Sequence, residues 1–319
     1  MNCAGSISQT AHCLCANSGI TVITFQERQF NLHGFTYAAQ LWGDGTGLPI
    51  IALHGWLDNC ASFDVLMPQL GNVQCLAVDL AGHGFSDHRA GLTDYSIWSE
   101  IASIYAIADQ MGWKQFALLG HSRGAMMSLL ASGVYPDRIS HLMMIDALLP
   151  QMLTADQSIK RMQASIEELR WRVDRKMSLY TSYDRAITAR CHSPFSPLLR
   201  PTAELLARRG LRDVDGQFHW HADGKLWARS NVSLSEDVVN AFLGNITAKT
   251  LLLLASDGLI KSIQQCPDKL AAHNKAIDKV GMTVERFDDG HFLHMEKAAP
   301  LVAKTIRHFL VEELTEEPG

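Results

Sequence analysis

The segment that most narrows what this chain can fold into is Gly120-His121-Ser122-Arg123-Gly124, set between the apolar run Phe116–Leu119 and the helix formers Ala125–Leu130. A run of that length is suited to a buried strand, and it passes without a linker into a helix. The chain must therefore reverse within one very tight turn. Glycines at 120 and 124 are expected there because a side chain would collide with the adjoining strand and helix, and Ser122 is expected in a strained conformation that exposes its Oγ. A G-x-S-x-G sequence alone says little, but between strand and helix it is specific.

The rest of the chain repeats the same alternation. Thr21–Thr24 and Phe35–Leu41 read as a starting hairpin turned at Leu32-His33-Gly34. Short apolar runs follow at Pro49–Leu53, Val73–Leu80, Phe116–Leu119, His141–Ile145, Thr250–Ala255 and Thr283–Phe287, with helical spacing at Ile97–Met111, Ala125–Val134 and Ala298–Leu310. Strand–helix repetition predicts an α/β fold with a doubly wound, mostly parallel sheet whose reactive groups gather at the carboxyl ends of its strands. The alternation stops between about Pro150 and Ser233, too long for a plain connection, and an inserted cap is expected over 150–233. The core domain is then 21–149 with 234–319, and residues 1–20 form a tail. Within the cap, Ile159, Met162, Ile166, Leu169, Val173 and Met177 make one apolar helical stripe, expected to pack onto the core domain.

Charge and cysteine usage bound the partners. The net charge of -5 lacks the basic excess that phosphate backbones require, so nucleic acid is not the expected partner. No apolar stretch approaches the roughly 20 residues that cross a bilayer, and residues 1–20 hold no Lys or Arg and no secretory apolar block. Seven thinly spread cysteines point to reduced thiols and a cytoplasmic setting, and Cys13-x-Cys15 has no matching second ligand pair for a metal. Residues 151–230 carry 14 Lys plus Arg against 9 Asp plus Glu, a basic cap over an acidic core. Attraction between the two explains this; the sharper alternative is that Arg208, Arg209 and Arg212 draw in an anionic substrate.

A serine hydroxyl needs a base within hydrogen-bond reach. His291, just past the run Thr283–Phe287 and after Asp289-Gly290, lies on the loop where that base belongs; His294, three residues on, is the competitor and is assigned a structural hydrogen bond. The H-x-x-H spacing has no third ligand motif, so no metal is expected. The imidazole needs a carboxylate on its other nitrogen. Asp257, in Ser256-Asp257-Gly258, is favoured from its position after Thr250–Ala255, and Asp146, directly after His141–Ile145, is the alternative. The amides of Arg123 and of Trp56, in His54-Gly55-Trp56-Leu57, are the expected oxyanion donors, with His54 bracing the loop. The Arg123 side chain is expected to pair with an acid such as Asp146 rather than with a substrate carboxylate. Asp79 to Ser86 reads as a turn closing a strand, and Trp220 or Trp227 as lining of an acyl pocket.

These motifs resemble the α/β-hydrolase superfamily and, within it, the serine hydrolase-like proteins, over about residues 35–310. The resemblance rests on Leu53-His54-Gly55-Trp56-Leu57-Asp58-Asn59 with Ser62-Phe63-Asp64, on Asp79 through Ser86, on the Ser122 turn and on Gly290-His291-Phe292-Leu293-His294-Met295-Glu296. It implies an eight-stranded α/β-hydrolase fold with a helical cap, a triad of Ser122, His291 and Asp257, no cofactor, and a small-molecule acyl ester as substrate. Arg123 departs from the commoner residue after such a serine. The same triad would serve a thioesterase or a carbon–carbon bond hydrolase, and the rival of another class is a non-catalytic ligand receptor on the same fold.

Overall fold

The computed structural model describes residues 25–311, apart from residues 174, 176, 177 and 194–196. Its strands are β1 (Phe25–Leu32), β2 (Phe35–Trp42), β3 (Leu48–Leu53), β4 (Val73–Val78), β5 (Phe116–His121), β6 (Ile139–Ile145), β7 (Leu211–Val214), β8 (Gln217–Trp220), β9 (Lys249–Asp257) and β10 (Thr283–Gly290). All but β7 and β8 join one sheet in the order β1-β2-β4-β3-β5-β6-β9-β10. β2 runs antiparallel to β1 and β4, and every other pairing is parallel. The opening hairpin turns at His33 and Gly34, both at positive φ, and its first strand is Phe25–Leu32; the predicted strand Thr21–Thr24 lies outside the described residues.

The apolar runs are strands buried on both faces because successive residues serve two cores. Ile51, Leu53, Leu76, Val78, Leu118 and Leu252 face one side; Ile50, Ala52, Cys75, Ala77, Leu119 and Leu251 face the other. Helices α1 (Ile97–Gln110) and α2 (Arg123–Val134) cover the first core through Ile104, Ile107, Met127 and Leu130. α2 is buried nearly all round, and at Gly133 an added Cβ would meet the Phe242 carbonyl oxygen at 2.7 Å.

Between β6 and β9 the chain leaves the sheet through α3 (Ala155–Val173), α4 (Tyr183–Cys191), α5 (Arg200–Gly210) and the hairpin β7–β8. It returns through α6 (Glu236–Gly244), and α7 (Leu259–Gln264), α8 (Pro267–Val280) and α9 (Ala299–Val311) complete the frame. α9 closes the second core with Val302, Ala303 and Ile306.

Two expectations for the inserted segment are corrected. Along the α3 stripe Ile159, Met162, Ile166 and Val173 are exposed and only Leu169 is buried; Met177 lies outside the described residues. The helix instead turns Ser165 and Leu169 inward, and Ser165 Oγ donates to the Arg229 carbonyl. The arginines proposed to attract an anion are also committed elsewhere. Arg209 is buried and forms a two-pronged pair with Glu27 at 2.6 and 3.0 Å, while its Nε reaches Asp79 at 2.6 Å. Arg212 donates to the carbonyls of Arg209 and Gly84, both guanidinium groups lie over the Phe85 ring, and only Arg208 is exposed.

Arg209 thus ties α5 to the first strand and to the turn that begins at Asp79. Removing one partner of a buried ion pair leaves the other charge uncompensated. Arg209→Gln is expected to lower unfolding free energy by about 3 kcal/mol, measured by urea denaturation; a loss below about 1 kcal/mol would mean that Asp79 is satisfied by its amide bonds alone.

Candidate active site

The turn at Ser122 is built by backbone crowding. A Cβ on Gly124 would stand 1.9 Å from the Leu53 carbonyl oxygen, and one on Gly120 would stand 2.4 Å from the Gly124 carbonyl. Only hydrogen fits at either position, so α2 starts directly against β3. Ser122 takes the strain, with φ 53° and ψ -115°, while its amide donates to the Ile145 carbonyl at 2.9 Å.

His291 follows β10 and is tied to this turn. Nε2 of the buried His121 donates to the His291 carbonyl at 3.0 Å, and the two rings lie 4.7 Å apart. His291 Nδ1 lies 2.6 Å from a carboxylate oxygen of Asp146, which is wholly buried. The other claims on that carboxylate come from β9 and the segment after it: the Ala255 amide donates to Oδ1 at 3.0 Å and the Leu259 amide to Oδ2 at 2.9 Å. Asp146 shares with Ser122 a positive φ, 47°, at the end of a parallel strand.

The acid beside His291 is therefore Asp146, and the assignment to Asp257 is corrected. Asp257 is exposed and pairs with Lys261 at 2.5 Å, one helical turn on. Its neighbour Gly258 is what the motif contributes, since a Cβ there would meet Asp146 Oδ2 at 2.1 Å. Arg123 does not pair with Asp146 either: its guanidinium donates to the Tyr95 carbonyl, and Glu100 and Asp94 are the acids that act on it electrostatically.

Four buried histidines brace the site. His54 Nε2 accepts from the Leu80 amide at 3.0 Å while Nδ1 donates to Gly55; His83 Nε2 accepts from the Leu57 amide at 3.3 Å while Nδ1 donates to Ala81. His294 shares a 2.8 Å hydrogen bond with Ser62 Oγ. Burial pushes His54 below its ordinary value and His83 and His121 well below it, and pulls His294 down to about 3. Trp56 sits on the loop after β3, whose Leu53 is in register with Gly120; its Nε1 donates to the Leu226 carbonyl and its ring meets Trp227 edge-on at 4.5 Å. Beyond it lies a cavity of about 450 Å³ lined by Trp56, Leu57, Trp171, Arg172, Arg190, Trp220 and Trp227 among others. Among the described residues no group of three or more His, Cys, Asp or Glu could hold a metal ion.

A family described as having the α/β hydrolase fold matches residues 49–175. A serine hydrolase-like protein of Danio rerio is 30% identical over 228 residues, covering 70% of this chain and 69% of that protein. A crystal structure of a hypothetical protein from Pseudomonas aeruginosa PAO1 superposes with TM-score 0.82 at 32% identity, over 91% of this chain and 99% of that one. A thioesterase domain from the curacin biosynthetic pathway superposes with TM-score 0.76 at 20% identity, over 88% of this chain and 98% of that one. No helix among the described residues is long and apolar enough to cross a membrane.

The contact at His291 separates the two candidate acids. If the carboxylate on Nδ1 sets the tautomer, Asp146→Asn is expected to cut hydrolytic turnover by about 10⁴ and Asp257→Asn by less than about threefold; the reverse ranking would return the role to Asp257. The buried histidines predict acid lability. Each is neutral in the fold but takes a proton below about 6.5 when unfolded, so stability falls as pH drops from 6.5 toward the folded values, by about 1.4 kcal/mol per pH unit per histidine. Asp64, whose carboxyl burial raises to about 7, acts in the opposite sense: it removes stability as pH rises from its ordinary value toward 7. Glu296, raised by burial, acts in the same sense as Asp64; four histidines outweigh these two carboxyls, so the urea midpoint should be lower at pH 5 than at pH 7. Equal midpoints would show that the four rings charge inside the fold.

Proposed function

This chain belongs to the α/β-hydrolase family, and on that premise we propose that it is a serine hydrolase, a carboxylesterase that cleaves short or medium acyl esters through Ser122, His291 and Asp146. The observation that carries the reading is the 2.6 Å contact of His291 Nδ1 with the buried Asp146 carboxylate, on a loop bonded to the residue before a strained Ser122. With Nδ1–H donating to Asp146, the lone pair on Nε2 is left as the base.

In this mechanism Ser122 Oγ attacks the acyl carbonyl carbon as His291 Nε2 takes its proton. Asp146 stabilises the imidazolium and does not itself become protonated. The backbone amides of Trp56 and Arg123 are the proposed donors to the oxyanion; Arg123 begins α2, where the positive end of the helix dipole adds to its amide. The tetrahedral adduct expels the alcohol with the proton held by His291, and water, activated by the same imidazole, clears the acyl-enzyme. Trp220 and Trp227, in the cavity wall, would receive the acyl chain. A thioester presents the same carbonyl to this machinery, so matched ester and thioester substrates rank the two bonds.

Hydrolysis of p-nitrophenyl butyrate by wild type and by Ser122→Ala tests the proposal. Loss of the nucleophile is expected to lower turnover by about 10⁴ to 10⁶, together with loss of fluorophosphonate labelling. Equal rates in the two proteins, or absence of both turnover and labelling in wild type, would sink it and favour a ligand receptor on the same fold.

A further inference from the structure

The cavity beyond Trp56 combines aromatic walls with cations. Trp56, Trp171, Trp220 and Trp227 are joined there by Arg172, Arg175 and Arg190, and no Asp or Glu stands among the described lining residues. The three cations differ in how they are compensated. Arg190 pairs at 3.0 Å with the buried Asp58. Arg172 and Arg175 have no carboxylate within ion-pair distance among the described residues. Glu168, the acid that acts most on Arg172, is itself engaged by the amide of Arg229 at 2.7 Å and by its Nε at 3.4 Å.

Arg172 is half-buried, and its Nε is buried without a hydrogen-bond partner. Its guanidinium carbon lies 5.0 Å from the Trp171 ring centroid and 6.0 Å from that of Trp227, while that of Arg175 lies 4.1 Å from the same Trp171 ring. Aromatic faces offset part of the cost of withdrawing a cation from water, but they leave the N–H donors unmatched. A planar fork of donors held between indole rings matches a carboxylate, which can accept two parallel hydrogen bonds.

We infer that this cavity selects substrates bearing a carboxylate on an apolar body, with the anion seated at Arg172 under the added charge of Arg175 and the body held between the tryptophans. The inference rests on the serine hydrolase reading only for its substrate form; the anion site stands on the cavity itself. It also moves the anion attraction expected of the cap from Arg208, Arg209 and Arg212 to a different set of its arginines. Arg190, in the cavity wall, lies over the ring of Phe292, the residue after His291, at 5.9 Å.

Two readouts test it. The first is the ratio of kcat/KM for mono-p-nitrophenyl glutarate to that for its methyl ester, in wild type, Arg172→Gln and Arg172→Lys. Wild type is expected to favour the anionic ester by about tenfold at low salt, the ratio to fall at least about fivefold in Arg172→Gln, and Arg172→Lys to recover part of it. The second needs no turnover: calorimetric binding of phenylbutyrate and of phenylbutyramide to Ser122→Ala, with and without Arg172→Gln. The carboxylate should bind about tenfold more tightly than the amide, and the added substitution should erase the difference. Carboxylate preference in calorimetry with no ester turnover in any protein would leave the anion site standing and overturn the hydrolase reading. Normal Ser122-dependent turnover with a ratio near one, unmoved by Arg172→Gln, and equal binding of acid and amide, would overturn the anion site alone.

Discussion

The approach of α2 to β3 is the constraint on which the rest of the molecule depends. Because nothing larger than hydrogen fits between Gly124 and the Leu53 carbonyl, the helix after β5 begins against the neighbouring strand and runs through the middle of the protein, buried on nearly every side. That contact fixes three things together. It forces the positive φ of Ser122, it brings the loop carrying Trp56 beside the same turn, and it directs the first amides of a twelve-residue helix toward the carboxyl edge of the sheet. A side chain at 124 would thus disturb the proposed nucleophile, the proposed oxyanion loop and the first core at once.

The second constraint is electrostatic. A carboxylate with no exposed surface must be matched by donors, and Asp146 is matched by two amides from the β9–α7 segment and by the His291 ring. Those donors come from two stretches of chain outside its own, so the acid that follows β6 also holds the carboxyl ends of β9 and β10 to it. The buried neutral histidines do comparable work nearby. His54, His83 and His121 bond backbone groups of the surrounding loops and His294 bonds the Ser62 hydroxyl, which ties those segments together.

The frame and two of the three residues of the candidate site were legible in the sequence because they are local. Strand-length apolar runs and the G-x-S-x-G turn report contacts between near neighbours, and His291 follows its strand by one residue. The acid was not, because both Asp146 and Asp257 end apolar strands and differ only in burial, which is a property of the assembled sheet. The signal lay in the neighbours. Asp146 directly follows a run that is buried throughout, whereas Asp257 has Lys261 one turn away and an adjacent glycine whose missing side chain makes room for the other acid. In the inserted segment periodicity misled outright: the α3 stripe satisfies helical spacing, yet the helix is seated by Ser165 and Leu169 while most of the stripe faces solvent.

Charge works beside apolar contact in seating the inserted segment, where Ile187, Leu206 and Ala207 pack with Phe292 and Met295. Arg209 reaches Glu27 and Asp79, Arg190 reaches Asp58, and Arg212 caps the Gly84 carbonyl. Part of the basic excess of that segment is thereby matched by carboxylates of the acidic frame beneath it. What composition could not show is the remainder. Once these arginines are matched, the guanidinium groups of Arg172 and Arg175 are left at the cavity with aromatic neighbours and no described carboxylate partner, so that the sign of the field inside the pocket is set by the cations the frame did not neutralise.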